Sequence, residues 1–464
     1  MELKKNLLFV FADQWRRSAV GFMGEEPVLT EHIDTFAHNS VICTNGVSTA
    51  PLCSPARASL LTGKHPLETG VFTNCKIGTD IRLRDDEICI SDVLKKEGYQ
   101  TAYIGKWHLD EPEANHTKTP KSGAKNWDAY TPPGPRRHGF DFWYAYNACD
   151  NHTHPHYWND DAEAIYSDTW SPIHETDIVL EYLNNRSKEQ PFALFLSWNP
   201  PHNPYDTAPE QYKSFYESKK LSRKPNVKLG DVRHHTEEAF PLDQEAFNEL
   251  QKGYYAAITG LDDQFGRIIE FLTENDILKD TLVVLTADHG DMLASHQLIG
   301  KHVWFEESIG VPLIFGGMDL PPGKTGTVIG SPDIAPTILD LLDIESPESM
   351  SGVSCAQSIL EGTTDKEKVC YIAACPGRDV FLEEFKRAGA DPRQFGWRAV
   401  RAYASTYVVD VGYTPSPHLN RYFYDLATDP HQLSPTIVTT PMAVESQLKN
   451  WLIATGDAFL EHLE

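Results

Sequence analysis

Short apolar runs recur along this chain and alternate with longer amphipathic stretches. Residues 6–12, 101–105, 192–197, 281–287 and 311–315 are rich in Val, Leu, Ile, Phe and Ala and are bounded by polar or turn residues. Runs of that length and continuity predict strands buried on both faces. Residues 90–97 predict a short helix, and residues 244–278 a long one. Such alternation predicts a large α/β/α sandwich around a mostly parallel central sheet. At 464 residues the chain exceeds one ordinary domain. Polar residues 361–368 read as a linker. Beyond them 369–374, 397–403 and 407–411 read as short strands, and 442–460 as a terminal helix. The expected division is a main body of residues 1–365 and a smaller C-terminal unit of residues 366–464, an antiparallel sheet with a helix.

Charge narrows the partners. With 41 basic and 66 acidic side chains the formal net charge is −25, which argues against nucleic acid and anionic membranes. An anionic substrate would need a local basic pocket inside a repulsive field. The apolar run that follows Lys4-Lys5 is stopped by Asp13, too soon for a signal peptide, and no stretch is long enough to span a bilayer. If Met1 is native, the expected compartment is the cytoplasm.

Three polar sequences stand just past predicted strands: Asp13-Gln14, Gly105-Lys106-Trp107-His108 and Asp288-His289-Gly290. Sites in open α/β sheets lie beyond the carboxyl ends of strands. An Asp there is also an ordinary cap or turn former. Two carboxylates brought together need a cation or a proton between them, and oxygen-rich sites suit calcium or magnesium. Residues Cys53-Ser54-Pro55-Ala56-Arg57, continuing to Leu61-Thr62-Gly63, set a thiol at the head of a helix-like run. Taken alone, the pentapeptide also fits a buried thiol before a proline-started helix.

All eleven residues from Cys53 to Gly63 resemble the Cys-x-Pro-Ser/Ala-Arg-x-x-x-Leu-Thr-Gly signature of the type I sulfatases, members of the alkaline-phosphatase-like superfamily. The likeness extends over nearly the whole chain, through Leu261-Asp262-Asp263-Gln264-Phe265-Gly266, Asp333-Ile334-Ala335-Pro336-Thr337 and Tyr424-Asp425-Leu426. It implies that a maturation enzyme oxidises Cys53 to formylglycine, whose hydrate is the nucleophile. It further implies one divalent cation held by Asp13, Gln14, residue 53, Asp288 and His289, with calcium the first choice and manganese or magnesium as alternatives. By the same likeness Arg57 and Lys106 hold the diol. His202, in Asn199-Pro200-Pro201-His202-Asn203-Pro204, and Lys301 serve the departing alcohol. His108 takes the proton that expels sulfate, and Asn74 contacts the anion. With Cys53 so committed, seven of eight cysteines remain, without a CxxC pair, which favours reduced core thiols.

The chain departs from the common family pattern at Gln14 and His289, where Asp and Asn are frequent. Those two residues resemble formylglycine-dependent phosphonate monoester and phosphodiester hydrolases, the alternative activity; Lys106 speaks for a sulfatase. A non-catalytic member with an intact thiol is a third reading. The run from Cys149 to Asn159 is dense in histidine and aromatics. His152, His154 and His156 alternate as on one strand face, which could mimic a metal box; a surface loop is the bland reading, and the favoured one is a sugar-binding wall with His154 and His156 as substrate contacts. The expected substrate is a small sulfated saccharide, such as a 6-O-sulfated N-acetylhexosamine. Oligomeric state is not legible.

Overall fold

A computed structural model describes residues 4–235 and 237–464. Eight strands build one sheet: Asn6–Asp13 (β1), Val41–Val47 (β2), Gln100–Lys106 (β3), Phe142–Tyr146 (β4), Phe192–Pro201 (β5), Thr281–Ala287 (β6), Ile314–Gly317 (β7) and Gly323–Gly330 (β8). Their order is β8-β2-β7-β6-β1-β5-β3-β4. From β6 to β4 all neighbours are parallel, while β7 runs antiparallel to both β6 and β2. The continuous apolar character of β1 has a direct cause. Leu8, Val10 and Ala12 enter one core and Leu7, Phe9 and Phe11 the other, because successive side chains face opposite sides of a strand. Helices cover both faces, as the alternation predicts.

Two boundaries differ from expectation for identifiable reasons. The strand expected at 311–315 begins only at Ile314, since Pro312 has no N–H to give the ladder. The long helix, Gln244–Glu274, stops short of Leu278. Asn275 caps it and Asp276 turns into the left-handed region at φ 57°.

A second sheet follows, of Cys370–Ala374 (β9), Gly396–Ala402 (β10), Ser405–Gly412 (β11), Asn420–Asp425 (β12) and Thr436–Ile437 (β13), paired antiparallel in chain order. Val400, Tyr407 and Val409 on one face pack with Leu448 and Leu452 of the helix Ala443–Thr455. Among the described residues no helix is long and apolar enough to cross a membrane.

Glu306 ties this sheet to the larger one. Its carboxylate accepts from Arg17 Nη2 at 2.7 Å and from Arg401 Nε at 2.7 Å. Burial would raise its pKa, but Arg401 and Arg17 bring it down to about 2. A carboxylate depressed in this way stabilises fully above its unfolded value and loses that contribution as pH falls through about 2. Glu306→Gln is therefore expected to cost ~3–5 kcal/mol, because two buried guanidinium groups lose their counter-charge. Chemical unfolding near neutral pH measures that loss, and the gap between the two proteins should narrow on acidification.

Candidate active site

The helix Cys53–Thr62 (α1) places the thiol. Pro55 lies in its first turn, where a missing N–H is tolerated, and Gly63 closes it in the left-handed region at φ 62°. All ten residues of α1 are buried. Ser54 N–H donates to Asn74 Oδ1 at 3.1 Å, so Asn74 supplies the acceptor that Leu52, the capping residue, lacks. Asn74 also lines the cavity described below.

Sheet pairing brings the carboxylates to this thiol. Ala12 pairs with Ala287, so Asp13 and Asp288 emerge side by side at the carboxyl ends of β1 and β6. Asp288 Oδ1 accepts from the N–H groups of Gln14 (3.0 Å) and His289 (2.8 Å), and its Oδ2 from Arg57 Nε (3.0 Å). Asp13 Oδ2 meets Arg57 Nη2 at 3.0 Å and Lys106 Nζ at 2.8 Å. Burial opposes ionisation of Asp13, yet Lys106, His202, Arg57 and His289 hold it well below the usual carboxylate range. Asp288 is pushed up to about 6, first by burial and then by the charge of Asp13.

His289 donates from Nδ1 to Gly290 O at 3.0 Å, because a carbonyl can only accept. Its Nε2 stands 3.3 Å from Cys53 Sγ and 3.5 Å from both Asp13 Oδ1 and Asp288 Oδ1; burial works against a charge on this ring, but Asp288 and Cys53 raise its pKa. Burial and Asp13 work against a Cys53 thiolate, but Lys301, His289 and Lys106 bring the thiol well below its ordinary pKa.

The donor set fits a divalent cation. Ligand atoms of Asp13, Cys53, Asp288 and His289 all lie within 4.8 Å of one another. All four residues are buried. Gln14 lies next to Asp288, to which its backbone N–H donates, and its amide is fixed in orientation. Its Nε2 donates to Asp291 Oδ2 (2.6 Å) and Tyr205 Oη (3.0 Å), while Oε1 accepts from Lys301 Nζ. The amide oxygen is thus the end that meets Lys301, which lines the cavity described below. Carboxylate, amide oxygen and imidazole donors suit a hard or borderline ion.

Lys106 reaches Asp13 because Gly105, at φ 102°, lets β3 close on β5; a Cβ there would stand 2.1 Å from Ser197 O. Arg57 Nη1 donates to Lys106 O and to Ser197 Oγ, both at 2.7 Å. Lys106 Nζ also bonds Asn199 Oδ1 at 2.9 Å. His108 is buried with both ring nitrogens unpartnered. Burial, the largest influence, lowers its pKa, partly opposed by nearby Cys53. His202 donates from Nδ1 to Asn203 O at 2.8 Å, which leaves Nε2 available. Cys53, Lys106, His108, His202 and Lys301 converge on one cavity of about 670 Å³.

The alternating histidines do not share a strand face. Only His156 and Tyr157 form a strand there, a two-residue one. His152 is buried and turns to His202 O at 3.0 Å, its pKa brought to about 4 by burial. His154 is exposed and contacts Asp168 at 3.1 Å. His156 bonds Asp128 Oδ2 at 2.7 Å; burial works against its charge, but Asp128 and Cys149 raise its pKa to about 9. His154 and His156 do line the cavity. Sequence reasoning missed Trp127, Asp128, Asp150, Asn199, Tyr205 and Asp291. Asp291 was findable, one residue past Asp288-His289-Gly290, whereas Trp127 sits in an ordinary-looking loop.

A buried nucleophile position, paired strand-end carboxylates and a cationic wall define a hydrolase site for an anionic ester. Residues 5–344 match the family model described as Sulfatase. The chain is 32% identical to the ulvan-active sulfatase of Formosa agariphila, over 98% of this chain and 82% of that protein. It is 37% identical to the endo-4-O-sulfatase of Bacteroides thetaiotaomicron, over 72% and 69%. A solved structure from Bacteroides fragilis, assigned as the sulfatase yidJ, superposes with a TM-score of 0.85 at 32% identity, covering 99% of this chain and 98% of that one. The chain belongs to the sulfatase family.

Proposed function

We propose that this protein hydrolyses a sulfate ester on a saccharide, through a formylglycine formed from Cys53. The observation that carries the reading is the thiol itself: it stands on α1 against Asp13 and His289, in a cavity shared with Lys106, His108, His202 and Lys301. The relatives named for ulvan and for 4-O-sulfate support a saccharide substrate. The same reading assigns catalysis to residues 1–365 and a supporting subdomain to 366–464.

Formylglycine would supply a hydrated aldehyde as nucleophile, and a bound cation, calcium in the first instance, would supply Lewis-acid charge beside its attacking hydroxyl. Asp13, Gln14, residue 53, Asp288 and His289 would hold that cation. Arg57 and Lys106 help keep Asp13 ionised and would hold the diol at residue 53. Lys301 and His202 would flank the leaving oxygen, with the Lys301 ammonium giving it the one proton it needs. His108, neutral because it is buried, accepts a proton at its unpartnered ring to let sulfate leave. Asn74 holds α1 and reaches the anion, and His154 and His156 meet the sugar.

Asp291 and Tyr205 act here as positioning residues. Both Asp291 oxygens accept, Oδ1 from Leu293 N–H and Oδ2 from Gln14 Nε2 and Tyr205 Oη, so Asp291→Asn must set its NH2 against one of these donors and loosens the hold on the Gln14 amide. Calcium affinity is expected to fall ~10–100-fold, measured by calorimetric titration of the chelator-stripped protein; unchanged affinity would show that Gln14 needs no such support.

The function is tested by producing the chain with a formylglycine-generating enzyme and measuring product release. Sulfate is followed from 6-sulfated and 4-sulfated N-acetylhexosamines and from an aryl sulfate, beside an aryl phosphonate monoester. Faster turnover of a sulfate supports the proposal. Faster turnover of the phosphonate would overturn it and make Gln14 and His289 better guides than Lys106.

A further inference from the structure

The catalytic cavity has a neighbour that shares its wall. A second cavity, of about 420 Å³, is also lined by Asn74, Trp127 and Lys301. The first lobe leads from Cys53 out to Lys125 and Tyr166. The second is lined beyond the shared residues by Gln14, His234 and Val380, none of which lines the first. Both lobes end at exposed groups: Tyr166 is 70% exposed and Val380 52%. Each volume falls within the ~300–1,000 Å³ typical of small-ligand sites, so the pair exceeds what one sulfated sugar requires.

Two features of the walls say what crosses the junction. Trp127 is 40% exposed where the lobes meet, with its ring 6.3 Å from the His108 ring. A half-exposed indole beside the proton-carrying histidine is a flat apolar platform with one polar edge, suited to a pyranose face. Charge supplies the second feature. The carboxylates of the second lobe are matched: Asp379 pairs with Lys76, and Glu237 lies 3.7 Å from Arg378. Within a chain of net charge −25, a channel whose acids are neutralised, with Lys301 at its centre, is a local path for a polyanion.

We propose that the two lobes form one cleft for a sulfated oligosaccharide that passes across Trp127, so that sulfate is removed from interior residues of the chain. This rests on the sulfatase reading above and lengthens the small saccharide expected from sequence. Sugars on one side of the reacting residue occupy the Lys125–Tyr166 lobe, and those on the other side the His234–Val380 lobe.

The test separates cleft from chemistry. Affinities of calcium-loaded Cys53→Ala protein are measured calorimetrically for ulvan and chondroitin 4-sulfate oligosaccharides from disaccharide to hexasaccharide. Affinity should rise about tenfold or more with length in at least one series. Val380→Trp, which fills the second lobe, and Lys125→Trp, which narrows the first, should each remove most of that rise. The formylglycine form should then release several sulfates per uncleaved polymer chain. Affinity independent of length in both series, a rise untouched by both tryptophan variants, or release confined to one terminal sulfate per chain would each overturn the proposal. Binding needs no turnover. A flat length series with aryl sulfate hydrolysis intact sinks the cleft alone, and a steep series without hydrolysis sinks the sulfatase reading alone.

Discussion

Cys53→Ala is expected to lower sulfate release by ~10⁴-fold or more, since no neighbouring group can replace the nucleophile. The fold should survive. Cys53 sits at the first position of α1, and alanine there keeps the backbone, the Ser54–Asn74 hydrogen bond and the ion pairs of Arg57. Rates on an aryl sulfate, with a circular dichroism melt of the same preparation, measure both halves of the expectation. Residual activity within tenfold of the parent would place the nucleophile elsewhere.

Arg57→Ala has the second large effect, and it falls first on stability. The guanidinium is buried between Asp13 and Asp288, and it also holds Ser197 Oγ and Lys106 O. Its removal takes a counter-charge from two buried carboxylates, of which Asp13 keeps Lys106 and Asp288, among the described residues, keeps no lysine or arginine, and costs ~3–5 kcal/mol. A divalent ion supplies part of the missing charge, so calcium should recover more stability in the variant than in the parent. Urea unfolding with and without calcium measures both quantities. A loss below ~1 kcal/mol, the range of exposed pairs, would show that water reaches these carboxylates.

The parts of this site that lie together in sequence were the legible ones. Residues 53–63 carry their helix, their proline and their closing glycine within one segment. Strand ends were legible because β1 and β6 are continuous apolar runs buried on both faces. Which strands lie side by side was not: only the pairing of Ala12 with Ala287 sets Asp13 against Asp288. β2 and β8 escaped notice because Thr44-Asn45-Gly46 and Gly323-Lys324-Thr325-Gly326 read locally as turns, and tertiary pairing overrides that preference. The alternation of His152, His154 and His156 promised a strand face, yet the chain there forms a two-residue strand after a loop. Trp127 carried no signal at all. Its meaning comes from His108 and Lys301, which reach it from other parts of the chain.

The central claim is that position 53 acts only once its sulfur has been replaced by an aldehyde oxygen. Preparations made with graded amounts of the maturation enzyme differ in the fraction converted, which peptide mass spectrometry reads directly. Plotting sulfate release against that fraction tests the claim most directly. A line through the origin is the expected result. Undiminished release from protein whose Cys53 thiol is intact, or no release from fully converted protein with calcium bound, would contradict it.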